Sequence, residues 1–187
     1  MARRLRKPIA PQSAVSRAVT RKARPFGTGK AADQARRLEA AHGRRGAAER
    51  LGVSERTLRR WKAGGRPSRA HAARLSEETR TSPEVRRQAL GTGRESRMRN
   101  RGAYVRMAGQ IGAGGDVRYR RRRMIGGAGT PIHLSGEAMA GILDAYAAGD
   151  DEAAAEALRE AMDDEYAEGF TFGDLESLEF LRDDPTT

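Results

Sequence analysis

The stretch Gly46–Lys62, GAAERLGVSERTLRRWK, carries the strongest fold signal in this 187-residue chain. Ala47, Ala48 and Leu51 place small and apolar side chains on one face of a short helix. Gly52 predicts the end of that helix, because glycine adopts the left-handed conformation that a sharp turn between two helices requires.

The second half of this stretch predicts another short helix. Ser54 is a favoured N-cap, and the apolar side chain of Val53 before it can fill the inside of the turn. Leu58 and Trp61 lie three residues apart and share the buried face. The pattern is typical of a helix-turn-helix, whose second helix enters the DNA major groove. The predicted DNA contacts of this motif are Ser54, Arg56, Thr57, Arg59, Arg60 and Lys62. An ordinary helical hairpin with a solvated basic face is the alternative.

The composition limits the class of protein. Charged residues make up 33% of the chain and aromatic residues 5%, which predicts a thin apolar core. The absence of cysteine excludes disulfides and thiolate metal sites. No apolar run approaches the ~18 residues of a membrane span, and no apolar stretch follows the basic N-terminus as it does in a secretory signal. We expect a cytoplasmic, nucleoid-associated protein.

The charge is distributed unevenly along the chain. Residues 135–187 contain 16 acidic and two basic side chains, whereas residues 1–134 contain 34 basic and nine acidic ones. The basic part suits phosphate backbones. The acidic part suits either a basic protein surface or folding back on the basic half.

Three segments are predicted. Residues 1–30 form a disordered basic arm, because Pro8, Pro11 and Pro25 interrupt any helix. Residues 31–91 form the helix-turn-helix domain, and residues 92–187 form a β-hairpin with an acidic helical part. In the middle segment, helices are expected at 31–42, around 68–79 and from Pro83 to Gly91. The apolar side of the second of these is predicted to be Ala70, Ala73 and Leu75.

The period of the sequence changes to two around Tyr104, which predicts a strand to Ile111. Glycines at 112–115 and Asp116 predict a turn, and a second strand follows over 117–124. That strand carries five arginines and one tyrosine: Arg118, Tyr119, Arg120, Arg121, Arg122 and Arg123. Residues 131–134 predict a third short strand. We expect the arginines to bind DNA backbone without regard to sequence.

Two helices are predicted after the strands. Ser135 caps the first, with Met139, Ile142, Leu143 and Tyr146 on its buried stripe. Asp150 or Asp151 caps the second, with Ala155, Leu158 and Met162 inward. The closing FTFGDLESLEFL is either a last strand or an acidic docking segment. The expected fold is α+β: a helical helix-turn-helix unit, then a small sheet packed with two C-terminal helices.

No pattern typical of an enzyme is present. His42, His71 and His133 lie far apart in the sequence, without the spacing of metal ligands. The glycines at 112–115 and 126–129 lack the Lys-Ser/Thr of a phosphate-binding loop, and the C-terminal carboxylates are dispersed on helix faces. We therefore predict no catalytic residue, no metal and no cofactor.

The chain resembles the telomere-protecting terminal proteins of actinobacterial linear chromosomes and plasmids. The resemblance covers roughly residues 30–181 and lies in AAERLGVSERTLRRW, in VRYRRRRMI and in GFTFGDLESLEFL, in that order. It implies a protein that caps the 5′ ends of linear DNA and offers a side-chain hydroxyl as primer for end filling. It also implies three partners: telomeric DNA in single- and double-stranded form, a DNA polymerase and a telomere-associated protein.

The family uses a threonine near the central strands as primer, but no Ser or Thr occurs here between Ser96 and Thr130. Candidates for covalent DNA attachment are therefore Thr130 first and Tyr119 second, with Thr92 and Ser96 before the hairpin. Neighbouring arginines would hold nucleotide phosphates. The alternative function is a helix-turn-helix transcriptional regulator or a plasmid partition factor.

Overall fold

The computed structural model describes residues 8–20, 30–127 and 130–184. The chain divides into two compact units. We call Ala23–Gly91 with Ala147–Gly149 the helical unit, and Met1–Lys22, Thr92–Tyr146 and Asp150–Thr187 the sheet unit. The expected α+β class is confirmed, because a small four-stranded antiparallel sheet packs with C-terminal helices.

The helical unit contains the predicted helices. They are α2 (Ala31–Leu51), α3 (Glu55–Lys62), α4 (Arg69–Thr81) and α5 (Pro83–Leu90). α2 breaks at Gly43, where φ is 72°, so its two halves are the expected bracing helix and the first helix of the motif. α3, α4 and α5 each pack against α2.

The core of the helical unit consists mainly of leucines around one tryptophan: Leu38, Leu51, Leu58, Trp61 and Leu75 are each buried. The predicted apolar side of α4 is wrong in part, since Ala70 and Ala73 are exposed. The buried face runs instead through Leu75 and Thr79, because residues four apart share a helix face.

In the sheet unit, one central strand pairs with all the others. The elements are α1 (Pro11–Thr20), α6 (Thr92–Arg101), β1 (Ala103–Gly112), β2 (Arg121–Ile125), β3 (Ile132–Leu134), α7 (Gly136–Ala148), α8 (Asp151–Glu165) and β4 (Thr171–Leu181). β4 pairs along nearly the whole of β1. β2 and β3 pair with different parts of β1 and therefore share its other edge. The closing segment is thus a strand, the first of its two predicted alternatives.

Apolar residues of β1 and of the C-terminal helices form the core of the sheet unit. Val105, Met107 and Ile111 alternate along β1 and are buried. The predicted stripe of α7 is also buried: Met139, Ile142, Leu143 and Tyr146. Asp150 caps α8, since its Oδ1 accepts the N–H of Ala153 at 2.8 Å. Ala154, rather than the predicted Ala155, is the buried alanine of its first turn.

The N-terminal segment differs from the predicted disordered arm. Residues 11–20 form α1, and Ile9 exchanges two backbone hydrogen bonds with Leu175 of β4. Pro11 begins this helix rather than interrupting it, because the first helical residue needs no N–H donor. The buried side of α1 packs against β4 and α8 and consists of Ala14, Val15, Ala18 and Val19. Residues 1–7 and 21–29 of the predicted arm lie outside the described residues.

Candidate nucleic-acid interface

The turn between the two helices of the motif has the geometry that its sequence predicts. Gly52 adopts φ 65° and ψ 38°, the left-handed conformation. Its N–H donates to the carbonyl of Glu49, and the N–H of Val53 donates to that of Ala48, both at 3.0 Å. These bonds satisfy carbonyls at the end of α2 and fix the direction in which α3 begins.

Ser54 caps α3. Its Oγ accepts the N–H of Thr57 at 3.2 Å and lies 3.0 Å from the Oγ1 of Thr57. Both hydroxyl groups therefore already take part in the helix start. Their predicted role as DNA contacts stays a prediction.

The buried side of α3 holds the helix in place. Leu58 and Trp61 are 0% and 1% exposed, and the Trp61 ring lies 5.4 Å from that of His71. At the other end of α3, the guanidinium of Arg36 donates to the carbonyl of Lys62 at 3.2 Å. A cation at a helix C-terminus also interacts favourably with the helix dipole.

The outer side of α3 presents three cations. Arg56, Arg59 and Arg60 are exposed, and none forms an ion pair within the described parts of the chain. Lys62, the remaining cation among the predicted DNA contacts, is half-buried and pairs with Glu39 of α2. Its ammonium group is the main cause that lowers the pKa of Glu39, so this pair persists well below neutral pH.

The arginine-rich segment of the sheet unit is only partly a strand. Residues 117–119 form one turn of 3₁₀ helix, because the Asp116 carboxylate accepts the N–H of Arg118 at 2.8 Å. The preceding loop is held by two hydrogen bonds, in which Gly114 and Gly115 donate to the carbonyls of Glu168 and Gly169. Of the five arginines, only those at 121–123 lie on β2, which corrects the predicted strand.

Carboxylates inside the same unit neutralise two of these arginines. Arg118 contacts both oxygens of Asp116, at 2.7 to 3.2 Å, and Arg122 contacts both oxygens of Glu176 on β4. Each pairing lowers the pKa of its carboxylate. Neither ion pair was predicted from the sequence, although the acids along β4 were a signal for Glu176. Arg120, Arg121 and Arg123 form no ion pair in the described part of the chain.

The acidic part therefore folds back on the basic part within the sheet unit, one of the two alternatives left open by the sequence. Besides Glu176, Glu179 of β4 pairs with Arg106 of β1, and Asp144 of α7 pairs with Arg99 of α6 at 2.7 Å. These pairs leave fewer free cations than the charge of residues 1–134 suggests.

The candidate priming hydroxyls lie at different places in the sheet unit. Tyr119 is 60% exposed and sits in the 3₁₀ turn. Thr130 is exposed, and its N–H donates to the carbonyl of Gly127 at 3.1 Å. Ser96 is exposed on α6, which begins at Thr92. Ala128 and Gly129, next to Thr130, lie outside the described residues.

The three histidines have separate structural partners. His42 Nε2 lies 2.9 Å from Ser82 Oγ, His71 Nδ1 lies 2.8 Å from Ser68 Oγ, and His133 Nε2 lies 3.0 Å from the Arg101 carbonyl. Among residues 8–20, 30–127 and 130–184, no cluster of His, Asp and Glu could hold a metal ion. In the same ranges, no helix is both long and apolar enough to span a bilayer.

Comparison with protein-family models gives no match to this chain. Comparisons with curated proteins and with solved structures give no match either.

Proposed function

We propose that this protein binds double-stranded DNA by placing α3 in the major groove. The observation that carries this proposal is the outer side of α3, where three exposed arginines have no acidic partner in the described residues. The opposite side, Leu58 and Trp61, is buried, so the helix is a rigid support for those cations. Recognition helices contact base edges with such outward side chains.

Arg56 and Arg60 are the residues to test first, because positions four apart lie on one face of a helix. A preferred duplex is selected from a random pool, and affinities are measured by fluorescence anisotropy at fixed salt. We expect Arg56→Ala and Arg60→Ala each to cost about 1–3 kcal/mol on that duplex and to relax its sequence preference.

Arg87→Ala is the matched control, since Arg87 is exposed on α5, outside the motif, and also has no ion-pair partner in the described residues. It should leave sequence preference unchanged. Equal affinity of the wild type and the Arg56→Ala, Arg60→Ala double variant would rule out this placement of α3.

We further propose that the protein caps the 5′ ends of linear DNA and serves as a primer, with a DNA polymerase and a telomere-associated protein as partners. The resemblance of three sequence segments to terminal proteins supports this role, and so does the exposure of Thr130 and Tyr119. In the priming step, the hydroxyl oxygen attacks the α-phosphorus of a nucleoside triphosphate. A phosphoester forms, pyrophosphate leaves, and the hydroxyl proton is released.

The priming role is tested with purified protein, a DNA polymerase, a telomeric template and a labelled nucleotide. Covalent label on the protein, located by peptide mapping, is the expected result. Label that persists in the Thr130→Ala, Tyr119→Phe double variant would eliminate both candidate residues. A wild-type protein that acquires no label would favour the regulator or partition factor.

A further inference from the structure

Four of the five arginines of residues 118–123 fall into two groups, and the fifth, Arg120, is half-buried. Arg118 and Arg122 are held by carboxylates of the sheet unit. Arg121 and Arg123 are exposed, and neither has an acidic partner in the described residues. All four side chains carry the same charge, but in the structure only two of them have a carboxylate partner.

The arginines of β2 also point to opposite sides of the sheet. Arg121 and Arg123 are opposite Ile111 and Gly109 of β1, whereas Arg122 is opposite Gln110. Because side chains alternate along a strand, Arg121 and Arg123 share one side and lie about 6.7 Å apart along it. They can therefore contact two different phosphates.

We propose that Arg121 and Arg123, on one side of β2, form a second DNA-backbone contact, from which Arg122 is excluded because it lies on the opposite side and pairs with Glu176. The guanidinium group of Arg122 donates to both carboxylate oxygens of Glu176, the same contact that it would make with a phosphate. This inference rests on the proposed DNA binding, but it concerns a different surface from α3.

The surroundings of β2 favour a polyanion over a protein strand as the ligand. β2 pairs only with β1 in the described part of the chain, so its other edge is open. A second copy added antiparallel at this edge would bring arginines opposite arginines, which is unfavourable. An added acidic strand would find little apolar surface, because residues 121–124 are all exposed and Met124 alone among them is apolar.

The test measures the salt dependence of binding to a random-sequence duplex with full-length variants. Log K falls as log salt rises, and each lost phosphate contact lowers the steepness of this slope by about 0.9. The Arg121→Ala, Arg123→Ala double variant should lower it by about 1.8 and weaken binding tens of fold at about 0.1 M salt. Arg122→Ala, on the same strand, should leave the slope unchanged.

Removing the carboxylate tests whether the two sides of β2 act separately. Glu176→Gln releases Arg122 on the side opposite Arg121 and Arg123, so the slope should stay unchanged. The side chain of Arg122 is 57% exposed and that of Glu176 is 26% exposed. Because ion pairs that solvent reaches contribute about 0–1 kcal/mol, the loss of this pair leaves the fold intact. Glu165→Gln, an exposed position on α8, makes the same change in net charge and should leave the slope unchanged.

Three results would overturn the inference. They are an unchanged slope in the Arg121→Ala, Arg123→Ala variant, an equal loss of slope in Arg122→Ala, and a steeper slope in Glu176→Gln that Glu165→Gln does not show. If the slope is unchanged in the Arg121→Ala, Arg123→Ala variant and the protein binds poly-glutamate only when Arg121 and Arg123 are present, the ligand of this surface is an acidic protein instead. The proposed role of α3 fails separately, through the Arg56 and Arg60 variants, so the two failures are distinguishable.

Discussion

Replacing Trp61 with alanine removes the largest buried side chain of the helical unit, and its effect can be worked out from the structure. Trp61 is 1% exposed. A side chain of this size buries up to about 250 Å², which at about 25 cal/mol per Å² corresponds to an upper limit of about 6 kcal/mol. Measured losses for such substitutions are about 3–5 kcal/mol. Since a domain is stable by only about 5–15 kcal/mol, we expect Trp61→Ala to abolish most of the stability of the motif.

The assay is urea unfolding followed by far-ultraviolet circular dichroism, because Trp61 is the only tryptophan and its fluorescence disappears with it. Arg59→Ala, on the exposed side of the same helix, is the control and should change stability by no more than about 0.5 kcal/mol. Leu58→Ala should cost about 2–5 kcal/mol, like other buried leucines. If Trp61→Ala and Arg59→Ala unfold alike, the assignment of the buried side of α3 is wrong.

Two other substitutions test the sheet and the helical unit. Gly126 has φ 72°, and a Cβ there would lie 1.7 Å from the carbonyl oxygen of Val105. Gly126→Ala should therefore unfold the sheet unit, as measured by a thermal melt. Gly127→Ala is the control and should be near neutral in the same melt, because a Cβ at Gly127 would have no atom within 4 Å. Burial is the main cause that lowers the pKa of His42 below its ordinary 6.5. The unfolded chain therefore binds a proton at higher pH than the folded one, and stability should fall as the pH drops below about 6.5 towards the folded pKa. His42→Asn should reduce that loss in urea unfolding at pH 7 and pH 5.5, and an identical pH dependence in the variant would contradict the burial of this ring.

The helix-turn-helix could be predicted from the sequence because its signals are local. Gly52 supplies the left-handed residue, Ser54 the cap, and Leu58 with Trp61 the buried side, all within ten residues. The strand at Tyr104–Ile111 was predictable for a similar reason, since an alternating strand with one buried face shows its period directly.

Other elements lacked a local signal. α6, TGRESRMRNR, has almost no apolar periodicity, and Met98 is its one buried hydrophobic residue. α1 was not predicted, because it begins at Pro11 and a proline can either interrupt a helix or begin one. The contact with β4 and α8, more than 130 residues away in the chain, buries its apolar side.

The number of cations in the arginine-rich segment can be read from the sequence, but the folded structure decides which of them have a carboxylate partner. Arg122 and Glu176 are 54 residues apart, and antiparallel pairing of β2 and β4 with β1 brings them together. The pair of Asp116 and Arg118 is different, because these residues are two apart and meet within one local turn. Net charge is a sum over the chain and does not depend on the fold, whereas an ion pair requires two side chains within about 4 Å, a distance that only the folded sheet sets.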